Sequence, residues 1–267
     1  MTLALKPRAD SIMSLAEART TPEPVRQAMA RLFFLALEAG VTVELEPDQD
    51  ELHRIVAANQ GNPKHPVFLA PPNDRQYCRL APDNFMVTVG RDRSGRAVTL
   101  NTAKLVDLRH RSLADTFADL TFYYDDPERH AEPGDAVISG AEAPRLIVAD
   151  AFAVYSGTLW RHTDLAGLHA GEFKISQITG RLLRLAALAY WVEERPEWFF
   201  SLTWARLVEA GVLANVGYSR YEGGIDLHCH GKGLPMVLNY MDRAELVADA
   251  ELVGAGVLHR PQPLAAE

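Results

Sequence analysis

The segment His228-Cys229-His230 combines side chains that commonly bind metal ions. In a β-strand, alternate side chains point to the same face of the sheet, so the two histidines would lie side by side. A structural zinc site needs four ligands and a catalytic site needs three, and the spacing supplies no third ligand. The pattern therefore favours two histidines near the end of a strand, and we predict no metal site.

A glycine-bearing segment, Ala166–Gly171, precedes the longest predicted helix and is suited to bind phosphate. Gly167 and Gly171 leave the backbone uncrowded, and backbone N–H groups at the start of a helix attract a pyrophosphate group. The same residues also suit an ordinary turn between a strand and a helix, because such a turn needs flexible residues. A phosphate-binding loop and a plain turn both remain open at this point.

Two further groups of reactive side chains are interpreted as structural. Asp125 and Asp126 precede Pro127, which is typical of a solvated turn at the end of a helix, and we assign them no catalytic role. Cys78 and Cys229 are the only cysteines, and their spacing matches neither a disulfide framework nor a C-x-x-C site. We expect both to be ordinary reduced thiols.

The composition excludes several classes of protein. With 48% hydrophobic and 23% charged residues among 267, the chain can form a folded core. The net charge of -8 and the absence of a basic run disfavour a nucleic-acid-binding protein, which needs clustered Lys and Arg. The first ten residues lack the apolar core of a signal peptide, and the apolar stretch 30–39 is too short to span a bilayer. We therefore expect a cytoplasmic protein with no membrane association.

The elements that position these residues follow from the periodicity of apolar side chains. Helical spacing predicts helices over Val25–Leu37 and Phe173–Glu194. A third helix, Ser112–Tyr124, begins with a suitable N-cap and has Asp115 in the capping-box position. The polar segment Glu128–Pro144 predicts a loop. Strands are predicted over 41–45, 85–90, 97–108, 198–202, 218–230 and 234–242. One or two further strands are predicted over 145–160, most clearly at 146–148 and 152–155, and two more helices over 47–59 and 204–213.

The order of these elements resembles the acyl-CoA N-acyltransferase (GNAT) fold over residues 41–247. Three local features support the resemblance: the strand that ends at Gly157–Asp164 before the glycine loop, the pair Gly217-Tyr218, and a closing strand over Leu234–Asp242. The predicted fold class is therefore α/β, with a central mixed sheet flanked by helices and an N-terminal helical extension. The expected divisions are an extension over residues 1–40, a GNAT-like domain over 41–250 and a C-terminal tail over 251–267.

The resemblance implies where a cofactor would bind. The family's pyrophosphate motif, Arg/Gln-x-x-Gly-x-Gly/Ala, falls on Ala166–Gly171, where only the final glycine matches. Ala166 replaces the Arg or Gln, and His169 replaces the central glycine. By resemblance, the end of the preceding strand would align the thioester and the loop would hold the pyrophosphate of acetyl-CoA or another acyl-CoA. The implied cofactor-binding residues are Leu159, Trp160, Arg161, His162, Gly167, Leu168, His169, Ala170 and Gly171.

The resemblance also implies a proton donor for the departing thiolate. The family's tyrosine position falls near Leu213, and the nearest phenols, Tyr218 and Tyr221, are the candidate catalytic residues. No general base is fixed by the sequence, because members of the family use differently placed groups.

The implied function is transfer of an acyl group, such as acetyl, from acyl-CoA to a small-molecule or peptide amine, and a homodimer is compatible with it. Two alternatives remain open because of the altered motif. One is a GNAT-fold binding or regulatory protein that has lost CoA chemistry. The other is a transferase that uses a non-CoA acyl donor, such as a carrier-protein thioester or an aminoacyl-tRNA, the latter being disfavoured by the negative charge.

Overall fold

A mixed sheet of eight strands forms the centre of the fold in the computed structural model. Its strand order is β1-β2-β3-β5-β8-β10-β9-β4, and a small hairpin, β6-β7, lies outside it. The structure describes residues 11–46, 49–61, 67, 69–148, 150, 152–165, 167–170, 173–209 and 217–257. The strands are β1 (Thr42–Leu45), β2 (Phe85–Arg91), β3 (Ala97–Asp107), β4 (Ala136–Ser139), β5 (Phe152–Arg161), β6 (His169–Ala170), β7 (Phe173–Lys174), β8 (Trp198–Trp204), β9 (Arg220–Cys229) and β10 (Lys232–Asp242).

Helices flank this sheet, and their starts follow from local sequence. The N-cap Ser112 and Asp115 form the predicted capping box at the start of the fourth helix. Pro24, in the first turn of the second helix, needs no N–H partner there. The helices are α1 (Ile12–Glu17), α2 (Glu23–Glu38), α3 (Gln49–Asn59), α4 (Leu113–Ala118), α5 (Pro127–His130), α6 (Ala143–Leu146), α7 (Ile175–Tyr190), α8 (Ala205–Glu209) and α9 (Arg243–Gly254).

The long helix α7 is the main support of the sheet. Its Ile178, Leu182 and Leu185 are buried in a core shared with α2 and α9. Such burial contributes about 25 cal/mol per Å² of apolar surface, so helices with wide apolar faces are held firmly. The N-terminal helices α1 and α2 belong to the same core, through residues such as Ile12 and Met29. The division of the chain at residue 40 stays a prediction.

Neighbouring strands of the large sheet pair antiparallel with one exception among the described pairings. Strands β5 and β8 pair parallel, with α7 connecting them along the chain. The predicted fold class, a mixed sheet flanked by helices, is confirmed.

Three predicted elements differ from the structure. The predicted strand 146–148 is wrong: Leu146 ends helix α6, and Val148 makes a single bridge to Ser112. Pro144 explains the change, because proline favours the first turn of a helix. The predicted loop 128–144 includes most of helix α5 and all of strand β4. The predicted helix 112–124 is shorter than expected and ends at Ala118.

Among the described residues, every helix is too short or too polar to cross a membrane.

Candidate active site

The parallel strands β5 and β8 diverge and leave a cleft between them. They pair only over Ala153–Tyr155 and Trp198–Phe200. Beyond Tyr155, strand β5 bends: its register with β3 shifts, and Thr158 has a φ of 34°. A register shift of this kind bends one strand away from its neighbour. The backbone of β5 and β8 past the paired segment therefore faces open space.

The cleft has walls of different character. Strand β5 supplies a polar wall, helix α7 supplies an apolar wall with one buried arginine, and β8 faces them. The lining residues are Ser156, Gly157, Thr158, Leu159, Gly180, Leu183, Arg184, Ser201, Leu202, Thr203 and Tyr218.

Asn73 holds the bend of β5 in place. Its side chain is fully buried, and Nδ2 donates to Thr158 Oγ1 at 3.4 Å. A β-carbon at Gly157 would lie 2.1 Å from Asn73 Nδ2, far inside a normal contact. Only glycine therefore allows the asparagine to approach the strand at this point. The positive φ of a β-branched residue next to it marks backbone strain, which is often concentrated at functional sites.

Two buried oxygen atoms in the cleft wall have no hydrogen-bond partner within the described part of the chain. They are Ser156 Oγ and the Tyr218 hydroxyl. Buried polar atoms are nearly always hydrogen-bonded, so such atoms in a cleft indicate positions that a ligand or water would satisfy. The hydroxyls of Ser201 and Thr203, in contrast, accept hydrogen bonds from Asn239 Nδ2 at 3.1 and 2.9 Å.

Two buried arginines of α7 fix the segment that carries Tyr218. Arg184 lies with Cζ 4.3 Å from the centre of the Tyr218 ring and donates to the Gly217 carbonyl at 3.2 Å. Arg181 Nε donates to Asp249 Oδ2 at 3.0 Å. Burial lowers the pKa of Arg184, and the adjacent Tyr218 partly opposes that effect. A β-carbon at Gly217 would lie 2.4 Å from Arg181 Cζ, so this position also requires glycine.

The structure separates the predicted site residues. Tyr218 and Leu159 line the cleft. Trp160 is buried in a different core, with residues of α3, β2 and β3. His162 lies near the end of β5, with Nδ1 3.4 Å from an oxygen of Asp164. Two further predicted site residues lie in the large sheet. Arg161 of β5 pairs with Thr99, and Tyr221 of β9 pairs with Asn239.

The predicted phosphate loop forms a small hairpin before α7. His169 and Ala170 pair with Lys174 and Phe173, and the side chain of His169 is exposed. Gly167 adopts a φ of 80°, which favours glycine. Ala166 and Gly171 lie outside the described residues.

Several N–H groups around this loop are already used within the protein. Leu168 N donates to the Leu165 carbonyl, and Ile175 N donates to the Leu168 carbonyl, each at 3.1 Å. Lys174 N donates to Gln177 Oε1 at 2.8 Å. These three amides are therefore not free to bind a phosphate in this conformation.

Sequence reasoning missed the buried polar residues of the cleft. Asn73, Asn239 and Ser156 have no sequence pattern that singles them out. Arg181 and Arg184 did leave a signal, because Arg184 interrupts the apolar run 182–189 of a helix that is almost wholly buried, and Arg181 directly precedes that run. Charged residues at buried helix positions are rare unless they are paired.

No protein-family model and no curated protein sequence matches the chain. Solved structures with a similar backbone include FeeM, an N-acyl amino acid synthase from uncultured soil microbes, at 8% identity and a TM-score of 0.46. The similarity covers 81% of this chain and 98% of FeeM. NAA60 of Arabidopsis thaliana, solved with acetyl-CoA, has 13% identity and a TM-score of 0.43, over 76% of this chain and 99% of NAA60.

A third similar structure is RimJ of Mycobacterium smegmatis, solved with CoA-disulfide. It has 17% identity and a TM-score of 0.41, over 82% of this chain and 90% of RimJ. At these values the similarity concerns the course of the backbone. Independently of these similarities, the strand order with one parallel pair beside a long helix is the mixed sheet flanked by helices that the sequence predicts.

Proposed function

We propose that this protein transfers an acyl group from a thioester, acyl-CoA, to the nitrogen of an amine in the cleft between β5 and β8. The observation that carries the proposal is the divergence of these two parallel strands after Tyr155 and Phe200. Their facing backbone edges make no ladder with each other there. An extended chain with amide groups, such as the pantetheine arm of CoA, can pair with such edges as an added strand does.

The reaction needs a positioned carbonyl and a proton donor. The amine nitrogen attacks the thioester carbon, the carbon–sulfur bond breaks, the leaving thiolate takes a proton, and the attacking nitrogen releases one proton to solvent. In the proposal, backbone N–H groups at the bend of β5, near Thr158 and Leu159, polarise the carbonyl. Tyr218, whose buried hydroxyl lines the cleft, supplies the proton to sulfur. The Arg184 guanidinium lies over its ring and holds the phenol in place.

The other predicted residues keep their proposed roles by resemblance. Residues 159–162 at the end of β5 would align the thioester, and Gly167–Gly171 would hold the pyrophosphate. Tyr221 is the second candidate for the acid.

A specific observation supports a second candidate function, acyl transfer from a donor other than CoA. The amides of Leu168, Lys174 and Ile175 are hydrogen-bonded within the protein, so these three described amides are not available to a pyrophosphate. The phosphopantetheine arm of a carrier protein presents the same thioester and amides without a pyrophosphate. Such a donor would use the cleft and leave the loop unoccupied.

The test uses a variant that fills the cleft. Gly180 lies on α7 at the cleft, and a β-carbon there would meet only Leu159 Cδ1, at 3.9 Å. Gly180→Leu therefore adds bulk to the cleft and raises helix propensity. We expect saturable binding of acetyl-CoA or longer acyl-CoAs by calorimetry, weakened at least ~10-fold by Gly180→Leu, which corresponds to ~1.4 kcal/mol.

The matched control is Gly61→Leu, because a β-carbon at Gly61 meets nothing within 4 Å. It should bind the donor as the unchanged chain does. Binding of acyl-pantetheine without binding of millimolar acyl-CoA would favour the second candidate. If neither binds to the folded protein, the chain is a GNAT-fold binding or regulatory protein.

A further inference from the structure

A second cluster of reactive side chains lies away from the cleft, at the far end of β9. Cys229 is the last residue of β9, His230 follows it in the turn, and Asp135 precedes β4. One potential ligand atom from each of the three lies within 4.8 Å of the other two. Tyr221, near the other end of β9, is eight residues away, or about 26 Å along an extended strand. The cluster is therefore separate from the proposed acyl-transfer site.

The structure corrects the sequence interpretation of this segment. His228 and His230 do not continue one strand face, because β9 ends at Cys229 and His230 has a φ of 50°. The third potential ligand is Asp135, which is 94 residues earlier than Cys229 and which no local spacing could indicate. Strand pairing of β4 with β9 brings the two segments together.

The imidazole of His230 is held in a fixed orientation. Its Nδ1 lies 3.1 Å from Glu132 Oε1, and the ring of Tyr77 packs on it with 5.4 Å between ring centres. Its Nε2 is buried and has no hydrogen-bond partner among the residues described. Histidines that bind metals usually donate one ring N–H to a carboxylate, which leaves the other nitrogen to the metal. Glu132 Oε1, 3.1 Å from His230 Nδ1, is placed to act as that carboxylate.

The carboxylate and the thiol are also held in place. Asp135 Oδ1 accepts from the His230 backbone N at 2.8 Å, and Oδ2 accepts from the Tyr124 hydroxyl at 2.8 Å. The same hydroxyl lies 3.5 Å from Cys229 Sγ, and Cys229 is buried. A purely structural network would explain the hydrogen bonds of Asp135. It also accounts for the thiol, which the Tyr124 hydroxyl contacts, but it leaves the buried His230 Nε2 without a partner in the described part of the chain.

We propose that Asp135, Cys229 and His230 bind a Zn²⁺ ion, with Glu132 as the hydrogen-bond partner that orients His230. Thiol, imidazole and carboxylate together form the donor set that zinc prefers, and three protein ligands leave a fourth position to water. On binding, the sulfur–hydrogen bond of Cys229 is replaced by a sulfur–zinc bond, and the proton passes to solvent. The ion joins the segment before β4 to the turn between β9 and β10.

The test uses Co²⁺, which occupies zinc sites and reports thiolate ligation by its absorption. The full-length chain is treated with a chelator and then titrated with Co²⁺. We expect a thiolate-to-cobalt charge-transfer band that saturates at one ion per chain and is abolished by Zn²⁺. Cys229→Ser should remove the band, and Asp135→Asn should weaken Co²⁺ binding at least ~10-fold.

The matched control is Cys78→Ser, since Cys78 is the only other cysteine and its thiol donates to the Tyr123 carbonyl instead. This variant should keep the band. A second measurement does not depend on any variant: the melting temperature of the unchanged chain should rise on adding Zn²⁺ and fall again with chelator. Absence of the band in folded protein, or its persistence in Cys229→Ser, would overturn the proposal.

Discussion

At the scale of single residues, the hydroxyl of Tyr218 is the group on which the proposed chemistry depends. Tyr218→Phe removes the proposed proton donor but keeps the ring under Arg184. We expect the rate of thiol release to fall ~100-fold or more with little change in donor binding, as is usual for loss of a general acid. The measurement is release of free thiol in a single turnover.

Tyr221→Phe tests the alternative assignment with the same chemical change. Tyr221 lies on β9 opposite Asn239 and is not among the cleft-lining residues. The Tyr221→Phe variant should therefore release thiol at the same rate as the unchanged chain. If Tyr221→Phe is slow and Tyr218→Phe is not, the acid is Tyr221.

Gly217 allows a prediction about stability. Gly217→Ala forces an L side chain into a φ of 71° and places its β-carbon 2.4 Å from Arg181 Cζ. The guanidinium cannot move freely, because it is buried and paired with Asp249. We expect the free energy of unfolding to fall by ~2–4 kcal/mol, measured by urea denaturation.

Gly95→Ala is the matched control for this substitution. Gly95 has a φ of 84°, but a β-carbon there meets nothing within 4 Å. Its loss of stability, ~1 kcal/mol, should therefore report backbone strain alone. Equal losses in the two variants would show that the contact with Arg181 does not matter.

At the scale of elements, the sequence predicts regular segments well and bends poorly. Helix α7 and the hairpin β2-β3 were predicted because their apolar periodicity is long and clear. The bend of β5 was not, because it depends on Asn73, which lies 84 positions before Gly157 and contacts it only in the folded chain. The residues that line the cleft are for the same reason only partly predictable: Tyr218 and Leu159 were named, and Ser156 and Arg184 were not.

The segment that follows α4 carries buried phenols that predict a pH dependence. Burial raises the pKa of Tyr123 well above 10.0, and burial also raises that of Tyr124. Above pH 10 these phenols ionise in the unfolded chain but stay protonated in the folded one, so the folded state binds more protons. Stability contributed by the neutral phenols is therefore complete below about pH 10 and is lost as the pH rises further.

The measurement is urea denaturation at several pH values between about 9 and 11. Tyr123→Phe should reduce the decline, because it removes one of the phenols whose pKa burial raises. The Tyr123 hydroxyl is also buried without a hydrogen-bond partner in the described chain. The same substitution should leave stability near neutral pH unchanged or raise it by ~1 kcal/mol. A folded protein whose tyrosines all ionise near pH 10 would contradict this account.

At the scale of the whole molecule, the cleft and the loop before α7 are the two parts of the proposed donor site, and a ligand series can test each. A ligand that binds only the folded state at ~100 times its dissociation constant adds ~2.7 kcal/mol of stability. For a chain of this length, that raises the melting temperature by roughly 5–10 °C. Acetyl-CoA, CoA and acetyl-pantetheine differ in the acyl group and in the pyrophosphate, so their shifts separate the two contributions.

If Gly167–Gly171 holds the pyrophosphate, acetyl-CoA should raise the melting temperature far more than acetyl-pantetheine at equal concentration. Gly171→Trp should then remove most of the difference, because a bulky side chain would fill the space needed by the phosphates. If the amides of Leu168 and Ile175 keep their hydrogen bonds within the protein, acetyl-CoA and acetyl-pantetheine should raise the melting temperature equally. Gly171→Trp should then change neither shift. The first result assigns CoA as the donor, whereas the second assigns recognition to the cleft alone and selects a carrier-bound thioester.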